Sequence, residues 1–452
     1  MNKKTTLTDQ RSLWIIVVFW VLLLPLLHPW INSDGIAYYA QLRSIVIDGD
    51  LQYSNEFDYY YKIFTGDSSA PKITSYKPAH DKSGLFSPDE PRTITNHTPN
   101  RTSCGPALLW LPFFLIGHLL AYLYYLFTDT NLMNGYSLFY VGSISFGTAI
   151  YGLMTLILSY KFVRNWYSCT ISLLSIIGLL FTTPFIYYQS LVPSMAHVLS
   201  CFSISLFLWV WWKLKDKGSL EYLLIGLLAG LVGLVRWQNL PIILIPYIWF
   251  WLKNKSNQYL SNSTALSLGL FLGFLPQLIV WKIVYGFWFL IPMGNETMNW
   301  ASPRIWDVLF SSRHGFLTWN PVYFLVLIGL GLQTKEHRTR SILFDVFILF
   351  QIYINAVPDN WWAGSSFGYR RLLDLYPIYC LGLAGLLSCV RIRIGLFVLL
   401  MLSVWNINLM LQFALGMVSH SESISWLGVI RNTVFEIPKN LGKVIKYVLY
   451  RQ

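Results

Sequence analysis

Charged side chains are scarce in this chain: Lys, Arg, Asp and Glu make up 12% of its 452 residues, whereas a soluble protein has about 25%. Hydrophobic residues account for 55% of the chain. Apolar runs long enough to cross the hydrocarbon core of a bilayer recur from one end of the sequence to the other. These features exclude a soluble fold, and the 20 Trp and 28 Tyr residues suit the two aromatic belts of a membrane protein.

Cysteine is also scarce, with five residues and no CxxC pair, which argues against a disulfide or metal framework. The sequence contains no HExxH, Walker A, GxSxG or dinucleotide-binding motif. The net charge of +12 comes from basic residues dispersed over short loops and not from a basic helix with exposed aromatics. Nucleic acid is therefore not an expected partner.

Eleven apolar segments predict membrane-spanning helices. They are 13–30, 136–160, 168–188, 195–212, 220–235, 239–252, 264–285, 319–333, 341–357, 372–390 and 393–414. The first segment follows basic residues and lacks a small-residue cleavage site, so it predicts a retained span and not a removed signal peptide. We divide the chain into the N-terminus with the first span (1–30), a large extracytoplasmic loop with interfacial helices (31–135), a helical bundle (136–414) and a C-terminal tail (415–452).

A twelfth apolar run, 106–127, is long enough to cross the membrane, and the positions of the basic loops decide its placement. If it lies in the interface without crossing, the basic loops fall on the cytoplasmic side with the N-terminus, as the positive-inside rule requires. Those loops carry Lys161 and Arg164; Lys213, Lys215 and Lys217; Lys253 and Lys255; Lys335, Arg338 and Arg340; and Arg391 and Arg393. The expected fold is an all-α integral membrane protein with about eleven transmembrane helices plus interfacial helices.

This topology puts the C-terminal tail outside. Three basic residues of the tail do not favour that side: Lys439, Lys443 and Lys446. An amphipathic segment lying on the membrane surface would accommodate them.

The first outer loop concentrates acidic residues, with nine of the 21 in the chain. They are Asp34, Asp48, Asp50, Glu56, Asp58, Asp67, Asp81, Asp89 and Glu90. Asn32 or Ser33 can cap a helix that begins where the first span ends. Asp34 then lies at the lipid–water boundary with Tyr38 one turn along, where partial desolvation makes a carboxylate a better base. The alternative is that Asp34 only caps the helix.

Arg370 and Arg371 stand at the start of a predicted span, where the helix dipole adds to their charge and favours a bound anion such as a phosphate. The alternative is that one of them pairs with Asp374 and the other reaches lipid headgroups. Arg313 and His314 offer the same choice.

Other residues of the outer end are possible site-lining residues. They are Tyr38, Asp48, Asp50, His97, His197, Arg236, Trp361 and Asp374. For His197, a satisfied contact between two helices is the alternative to a functional role.

Five strings occur in order along the chain. They are Ser33-Asp34-Gly35 with Tyr38-Tyr39 and Asp48-Gly49-Asp50-Leu51; Gly105-Pro106-Ala107-Leu108-Leu109-Trp110-Leu111-Pro112-Phe113; Pro193-Ser194-Met195-Ala196-His197; Arg313-His314-Gly315 with Asn320-Pro321; and Trp361-Trp362 through Arg370-Arg371-Leu372-Leu373-Asp374. In this order, which covers nearly the whole chain, they resemble a bacterial branch of the polytopic GT-C glycosyltransferases. Protein O-mannosyltransferases and bacterial aminoarabinose transferases are members of that group.

The resemblance implies an enzyme of the bacterial inner membrane that transfers a sugar from a polyprenyl-phosphate donor to an extracytoplasmic glycan, lipid or protein. Members of the group carry an acidic residue at the start of the first outer loop, and Asp34, which could take the proton of the acceptor hydroxyl, occupies that position. The phosphate of such a donor lies at the membrane interface, where we expect the arginines to hold it. Many members have two adjacent acids at the start of the loop, whereas Gly35 follows Asp34 here. Whether the site binds a divalent cation (Mg, Mn or Zn) is therefore open. A site with two carboxylates would need Asp48 or Asp50 to fold back beside Asp34.

Three other functions remain open at this point. A lipid-linked sugar flippase or other transporter would need polar residues through the membrane mid-plane, where this sequence is almost free of charge. An oligosaccharide ligase or polymerase would rely on Arg and His and would need no acid after the first span. A structural assembly partner would be indifferent to mutation of Asp34 and Arg370.

Overall fold

The computed structural model describes residues 7–65, 91–252, 256–292, 296–333 and 338–440, together with Gly442. In these ranges the regular structure is helical, apart from one isolated antiparallel bridge between Met298 and Pro358. Several residues used in the sequence argument lie outside the described ranges: Lys3, Lys4, Asp67, Asp81, Asp89, Glu90, Lys253, Lys255, Lys335, Lys443 and Lys446.

The described ranges contain eighteen α-helices. They are α1 (Leu7–Leu23), α2 (Asp34–Arg43), α3 (Ser54–Thr65), α4 (Gly105–Thr128), α5 (Leu138–Val163), α6 (Cys169–Thr182), α7 (His197–Leu214), α8 (Ser219–Val235), α9 (Leu244–Leu252), α10 (Ser256–Tyr285), α11 (Ile305–Phe310), α12 (Phe316–Trp319), α13 (Val322–Gln333), α14 (Arg338–Ala356), α15 (Tyr376–Cys389), α16 (Ile392–Ala414), α17 (Trp426–Arg431) and α18 (Ile437–Lys439).

Eight helical segments in these ranges are long and apolar enough to cross a membrane. They are Leu7–Leu26, Gly105–Thr128, Leu138–Val163, His197–Leu214, Tyr259–Tyr285, Thr339–Ala356, Arg370–Cys389 and Ile392–Ala414. Three shorter apolar helices, α6, α8 and α13, pack among them. The chain is therefore an all-helical, multi-pass membrane protein, as the apolar runs predicted.

Two predicted spans begin with a different helix type. The span predicted at 372–390 starts as a 3-10 helix, Arg370–Leu375, and becomes α-helical at Tyr376. Pro377 occupies the first turn of that α-helix, where its missing N–H group is tolerated. The span predicted at 239–252 likewise consists of a 3-10 helix, Trp237–Ile243, followed by α9. Both irregular segments position side chains of the cavity described below.

One end of the bundle carries basic side chains stacked on indole rings. The pairs are Lys161 and Lys213 on Trp209, Lys215 on Trp212, and Arg340 on Trp166. The N-terminal turn of α1 joins this end through Asp9, whose carboxylate is 2.6 Å from Arg164 Nε. Because α7 runs about 27 Å from His197 to Leu214, His197 and the residues around it lie at the opposite end.

Both ends of α4 are held near α2. The segment before α4 contacts α2 through Asn100, whose side-chain amide donates to Ala37 O at 2.8 Å. The loop after α4 contacts α2 through Arg43, whose Nε donates to Asn134 O at 2.9 Å. Both ends of this apolar helix therefore lie on the α2 side of the bundle.

The C-terminal segment also packs at the α2 end. The side-chain amide of Gln412, in α16, donates to Val429 O of α17 at 3.0 Å. The backbone N–H of Ile424 donates to Ser312 O at 3.4 Å. The described part of the tail is therefore part of the structure around the cavity.

Glycines allow close helix packing, as is common in membrane proteins. A Cβ atom at Gly329 in α13 would collide with the carbonyl oxygen of Gly382 in α15 and lie 2.8 Å from Leu386 N. On the same helix, a Cβ atom at Gly331 would meet nothing within 4 Å. Gly329 thus sets the distance between α13 and α15, and α15 continues from the 3-10 helix that carries Arg370 and Arg371.

We predict that Gly329→Ala destabilises the detergent-solubilised protein by about 1–3 kcal/mol, because the added methyl group forces α13 away from α15. Gly331→Ala is the matched control and should be neutral or slightly stabilising, since alanine is the better helix former. Thermal unfolding of the two variants measures the difference. Equal midpoints would contradict the close packing of α13 on α15.

Candidate functional site

A cavity of about 1160 Å³ lies at the end of the bundle opposite the stacked basic side chains. Its wall is formed by the start of α2, the start of α7, the 3-10 helix after α8, the inner face of α10, and the segments 296–300 and 354–371. Seven residues predicted for the site line this one cavity: Asp34, Tyr38, His197, Arg236, Arg313, Arg370 and Arg371. The helix ends therefore bring together side chains that are far apart in the sequence.

Asp34 and Arg370 form an ion pair in the cavity, with Asp34 Oδ2 2.9 Å from Arg370 Nη1. The Asp34 side chain is 37% exposed and the Arg370 side chain 11%. Burial raises the pKa of Asp34, but the charge and hydrogen bond of the Arg370 guanidinium, together with the charges of His197 and Arg371, outweigh burial and leave that pKa below its usual value. Asp34 is therefore ionised at neutral pH and accessible from the cavity.

The backbone at the start of α2 fixes the position of Asp34. Ser33 is the N-cap residue of α2, as predicted, but its side chain makes no capping hydrogen bond and its φ is +50°. A Cβ atom at Gly35 would lie 2.7 Å from Ser194 Cβ and 2.8 Å from Ser194 O. Only glycine fits there, so a second acid next to Asp34 is sterically excluded. The alternative that Asp34 only caps the helix is wrong, because its carboxylate binds Arg370.

A buried polar cluster lies at the cavity floor. Asp374, fully buried, accepts hydrogen bonds from Arg236 Nη1 at 3.1 Å and from the side-chain amide of Asn239 at 2.8 Å. Arg236 Nη1 is also 2.6 Å from His197 Nδ1. Because Arg236 is the donor, His197 accepts at Nδ1 and carries its proton on Nε2. The alternative that Asp374 pairs with Arg370 or Arg371 is wrong, and Arg236 takes that place.

The Arg371 side chain lines the cavity and makes no hydrogen bond or ion pair with a residue of the described ranges, although the Glu296 carboxylate lines the same cavity and attracts its charge. Its neighbour Arg370 is committed to Asp34. Arg371 is thus available to a bound anion.

Arg313 and His314 have different environments. The Arg313 guanidinium lines the cavity, lies 3.7 Å from the centre of the Trp362 ring and is 3.7 Å from Glu422 Oε1. His314 is fully buried outside the lining, with Nδ1 2.9 Å from Trp362 O. Burial lowers the pKa of His314 to about 4, so its imidazole is neutral and donates from Nδ1 to that carbonyl. The prediction that His314 binds phosphate is therefore wrong: it holds Trp362 in place.

The remaining predicted residues divide between the cavity and its surroundings. Tyr38 lines the cavity, and burial raises its pKa to about 12, so it remains a phenol. Asp48 is 2.6 Å from Arg43 Nη1, and Asp50 accepts from Ser44 Oγ at 2.6 Å. These contacts hold the first outer loop together, and the prediction that the two acids help line the site is wrong.

His97 and Trp361 also lie outside the lining of the large cavity. His97 Nδ1 is 3.0 Å from Thr95 Oγ1, a contact within its own loop. Trp361 lines a separate, smaller cavity.

Sequence reasoning missed the apolar wall of the large cavity. Phe274 and Trp281 of α10 and Leu240 of the 3-10 helix form part of it. Phe274 and Trp281 are seven residues apart, two turns of one helix face, but this spacing could not be distinguished from ordinary helix packing. Asn239 was missed as well, although it follows Arg236 by three residues.

The site residues do not fit a resident divalent cation. The described ranges contain no group of three or more His, Cys, Asp or Glu side chains placed to hold a metal ion. The nearest partner of Asp34 is a guanidinium, and Gly35 leaves no room for a second carboxylate. No chemical step is therefore assigned to a metal here.

No family model matches this chain, and no curated protein matches it. The chemistry of the cavity is therefore the basis for assigning a function. It combines an ionised carboxylate, an available guanidinium and an apolar wall.

We predict that His314 makes the fold sensitive to acid between about pH 6.5 and 4. The folded pKa, about 4, is below the ordinary value of about 6.5, so the unfolded chain binds the extra proton first. The contribution to stability is complete above pH 6.5 and is lost as the pH falls towards 4. His314→Asn should flatten this part of the pH dependence, because asparagine does not titrate and tolerates the positive φ of this position.

Thermal midpoints of the wild type and His314→Asn across pH 4 to 7 measure the effect. The quantity to compare is the slope of the thermal midpoint against pH, because the smaller side chain of His314→Asn lowers the midpoint at every pH. Parallel curves would show that folding does not lower the pKa of His314.

Proposed function

We propose that this chain is a membrane glycosyltransferase of the GT-C type, which transfers a sugar from a polyprenyl-phosphate donor to an extracytoplasmic acceptor with inversion. The observation that carries the proposal is the Asp34–Arg370 ion pair, at 2.9 Å, in a cavity that also contains the available Arg371. A carboxylate that accepts a proton and a cation that accepts a phosphate are the two groups that this reaction needs.

The distribution of basic residues supports an extracytoplasmic cavity. Lys161, Lys213, Lys215 and Arg340 lie together at the end opposite Asp34. Under the positive-inside rule that end faces the cytoplasm. The contacts of Asn100 and Asn134, on either side of α4, with α2 support a helix that returns to the outer side without crossing. The proposed topology keeps about eleven other segments as the ones that cross.

The lining of the cavity suits a lipid-linked phosphate. Phe274, Trp281 and Leu240 provide an apolar wall for the first part of a polyprenyl chain. Arg371 provides a guanidinium that can bind two phosphate oxygens at once. The polyprenyl tail and the phosphate of the donor would thus bind to adjacent parts of one surface. A lipid-linked phosphate at the edge of a bilayer needs this arrangement.

The reaction can proceed by direct displacement. The acceptor hydroxyl oxygen forms a bond to the anomeric carbon while the bond between that carbon and the phosphate oxygen breaks. The hydroxyl proton passes to Asp34, and the bonding electrons leave with the polyprenyl phosphate. Arg371 stabilises the negative charge that develops on this phosphate, and attack from the opposite face inverts the anomeric configuration.

Arg370 sets the protonation state of the base. Its charge lowers the pKa of Asp34 and keeps the carboxylate ionised, which makes Asp34 a permanently available but weak proton acceptor. The same guanidinium orients the carboxylate through the contact to Oδ2. Arg370 is thus a positioning residue for Asp34, and Arg371 is the proposed phosphate ligand.

We predict opposite labelling for the two ends of the bundle in intact cells. Cys389 is exposed at the end of α15 remote from the cavity, and Ile94, in the outer loop, is 78% exposed. A membrane-impermeant maleimide should label Ile94→Cys in a Cys389→Ser background. It should label native Cys389 only after the cells are permeabilised.

Permeabilised cells are the control, because there the maleimide should label both Ile94→Cys and Cys389. Cys169, which is partly exposed, is replaced by serine in both backgrounds. Labelling of Cys389 in intact cells would place the cavity on the cytoplasmic side and remove the proposed donor orientation.

We predict that Asp34→Asn lowers sugar transfer by at least about 100-fold, because the amide cannot accept the proton. Binding of the polyprenyl-phosphate sugar should persist. Arg371→Gln should weaken donor binding by about 10- to 100-fold through loss of a charged hydrogen bond. Purified variants are incubated with radiolabelled polyprenyl-phosphate sugars and crude envelope acceptors, and labelled product and bound donor are both counted.

Asp58→Asn serves as the acidic control, since Asp58 pairs with Lys62 on α3 away from the cavity. Full transfer by Asp34→Asn would remove Asp34 from the mechanism and favour a ligase that needs no acid. Donor movement across vesicles without labelled product would identify a transporter instead.

A further inference from the structure

A short ribbon of extended backbone forms one wall of the large cavity. Its two segments are paired by hydrogen bonds from Asn299 N to Val357 O at 2.9 Å and from Asp359 N to Thr297 O at 3.1 Å. Met298 and Pro358 face each other in the antiparallel bridge. Successive side chains of such a ribbon point to opposite faces.

The two faces of the ribbon line two different cavities. The even-numbered residues Glu296, Met298, Trp300 and Asn360 line the large cavity. The odd-numbered residues Asn299, Val357, Asp359 and Trp361 line a second cavity of about 310 Å³. Pro358 and Trp362 line both. The two cavities are therefore separated by a wall one backbone thick and share Pro358 and Trp362 as lining residues.

The small cavity has the chemistry of a saccharide site. Asp359, Asn299, Ser302 and Arg304 provide a carboxylate, an amide, a hydroxyl and a guanidinium, which together donate to and accept from hydroxyl groups. Trp361 adds an indole, whose flat face suits the apolar face of a pyranose ring. The volume, about 310 Å³, is at the lower end of the ~300–1,000 Å³ range of small-molecule sites.

Both sides of the small cavity are held rigidly. Tyr369 Oη donates a hydrogen bond to Trp361 O at 2.9 Å. Thr297 donates a side-chain hydrogen bond to Asp359 Oδ2, which leaves the other carboxylate oxygen without a described partner. These bonds hold the backbone at Trp361 and the carboxylate of Asp359, so their ordering adds little to the entropy lost on binding.

We propose that the small cavity binds one sugar unit of an oligosaccharide acceptor, while the next unit passes Pro358 and Trp362 and presents its hydroxyl to Asp34. This inference rests on the proposed transferase function and names its acceptor: a glycan of at least two sugars. The apolar wall formed by Phe274 and Trp281 stays free for the donor lipid on the other side of the ribbon.

The test is direct binding of free sugars, with no transfer assay. The probes are methyl glucoside, methyl mannoside, N-acetylglucosamine, maltose and chitobiose. Their binding is measured by saturation-transfer NMR on protein in a detergent without a sugar headgroup. At least one of these sugars should bind the wild type. Trp361→Ala and Asn299→Ala should each weaken that binding at least 10-fold.

Met298→Ala is the matched control, because Met298 is adjacent to Asn299 but faces the large cavity. It should retain the affinity for the sugar, and its melting temperature shows whether the ribbon is intact. Loss of sugar binding in all three folded variants would place the sugar in the large cavity and overturn the inference.

Two further outcomes would also overturn the inference: no binding by any of the five sugars, or displacement of the bound sugar by inorganic phosphate, which would indicate an anion site on Arg304. Either result leaves the transfer assay on Asp34→Asn unaffected. Conversely, the protein could bind a sugar through Trp361 and have no transfer activity. That result would refute the proposed transferase function but support the saccharide site.

Discussion

The ion pair between Asp34 and Arg370 connects the first and last parts of the bundle, and the geometry of the cavity depends on it. Both partners are partly desolvated, since the Arg370 side chain is 11% exposed and the Asp34 side chain 37%, and a poorly solvated charge is tolerated only beside an opposite one. The approach that brings them together needs Gly35, because any side chain there would strike Ser194. A backbone requirement at one residue thus determines both the position of the carboxylate and the absence of a second one beside it.

The second pair, Asp374 with Arg236, completes the arrangement of charge. Asp374 is fully buried and receives hydrogen bonds from Arg236 and Asn239, so both oxygens are satisfied. Because Asp34 and Asp374 are each paired with a different guanidinium, neither of them binds Arg371, which lines the cavity. The network therefore has two functions at once: it stabilises these two acids, and it leaves Arg371 for an anionic ligand. Neither pair alone would give this result.

Sequence reasoning predicted the helices well, because the thickness of a bilayer fixes the length of an apolar run. It also placed Asp34, Arg236 and Arg371 at one site, since ionisable residues at the ends of apolar runs collect at the same membrane surface. It could not predict which acid meets which arginine, because these contacts cross between helices and depend on packing. His314 was assigned wrongly because its side chain is buried against Trp362 O while its neighbour Arg313 lines the cavity, and composition does not show which of two adjacent side chains faces a cavity.

The ribbon between the two cavities shows how much function an irregular segment can carry in an all-helical protein. Segments 296–300 and 356–362 both contain tryptophan, the second also contains a proline, and neither has an apolar period that predicts structure. Yet the pairing of Met298 with Pro358 makes side-chain direction alternate from residue to residue, so neighbouring side chains point into different cavities. Substitutions at alternate positions of the ribbon therefore change the lining of one cavity without changing that of the other. Helices, whose faces repeat every three or four residues, cannot divide two adjacent spaces with so little chain.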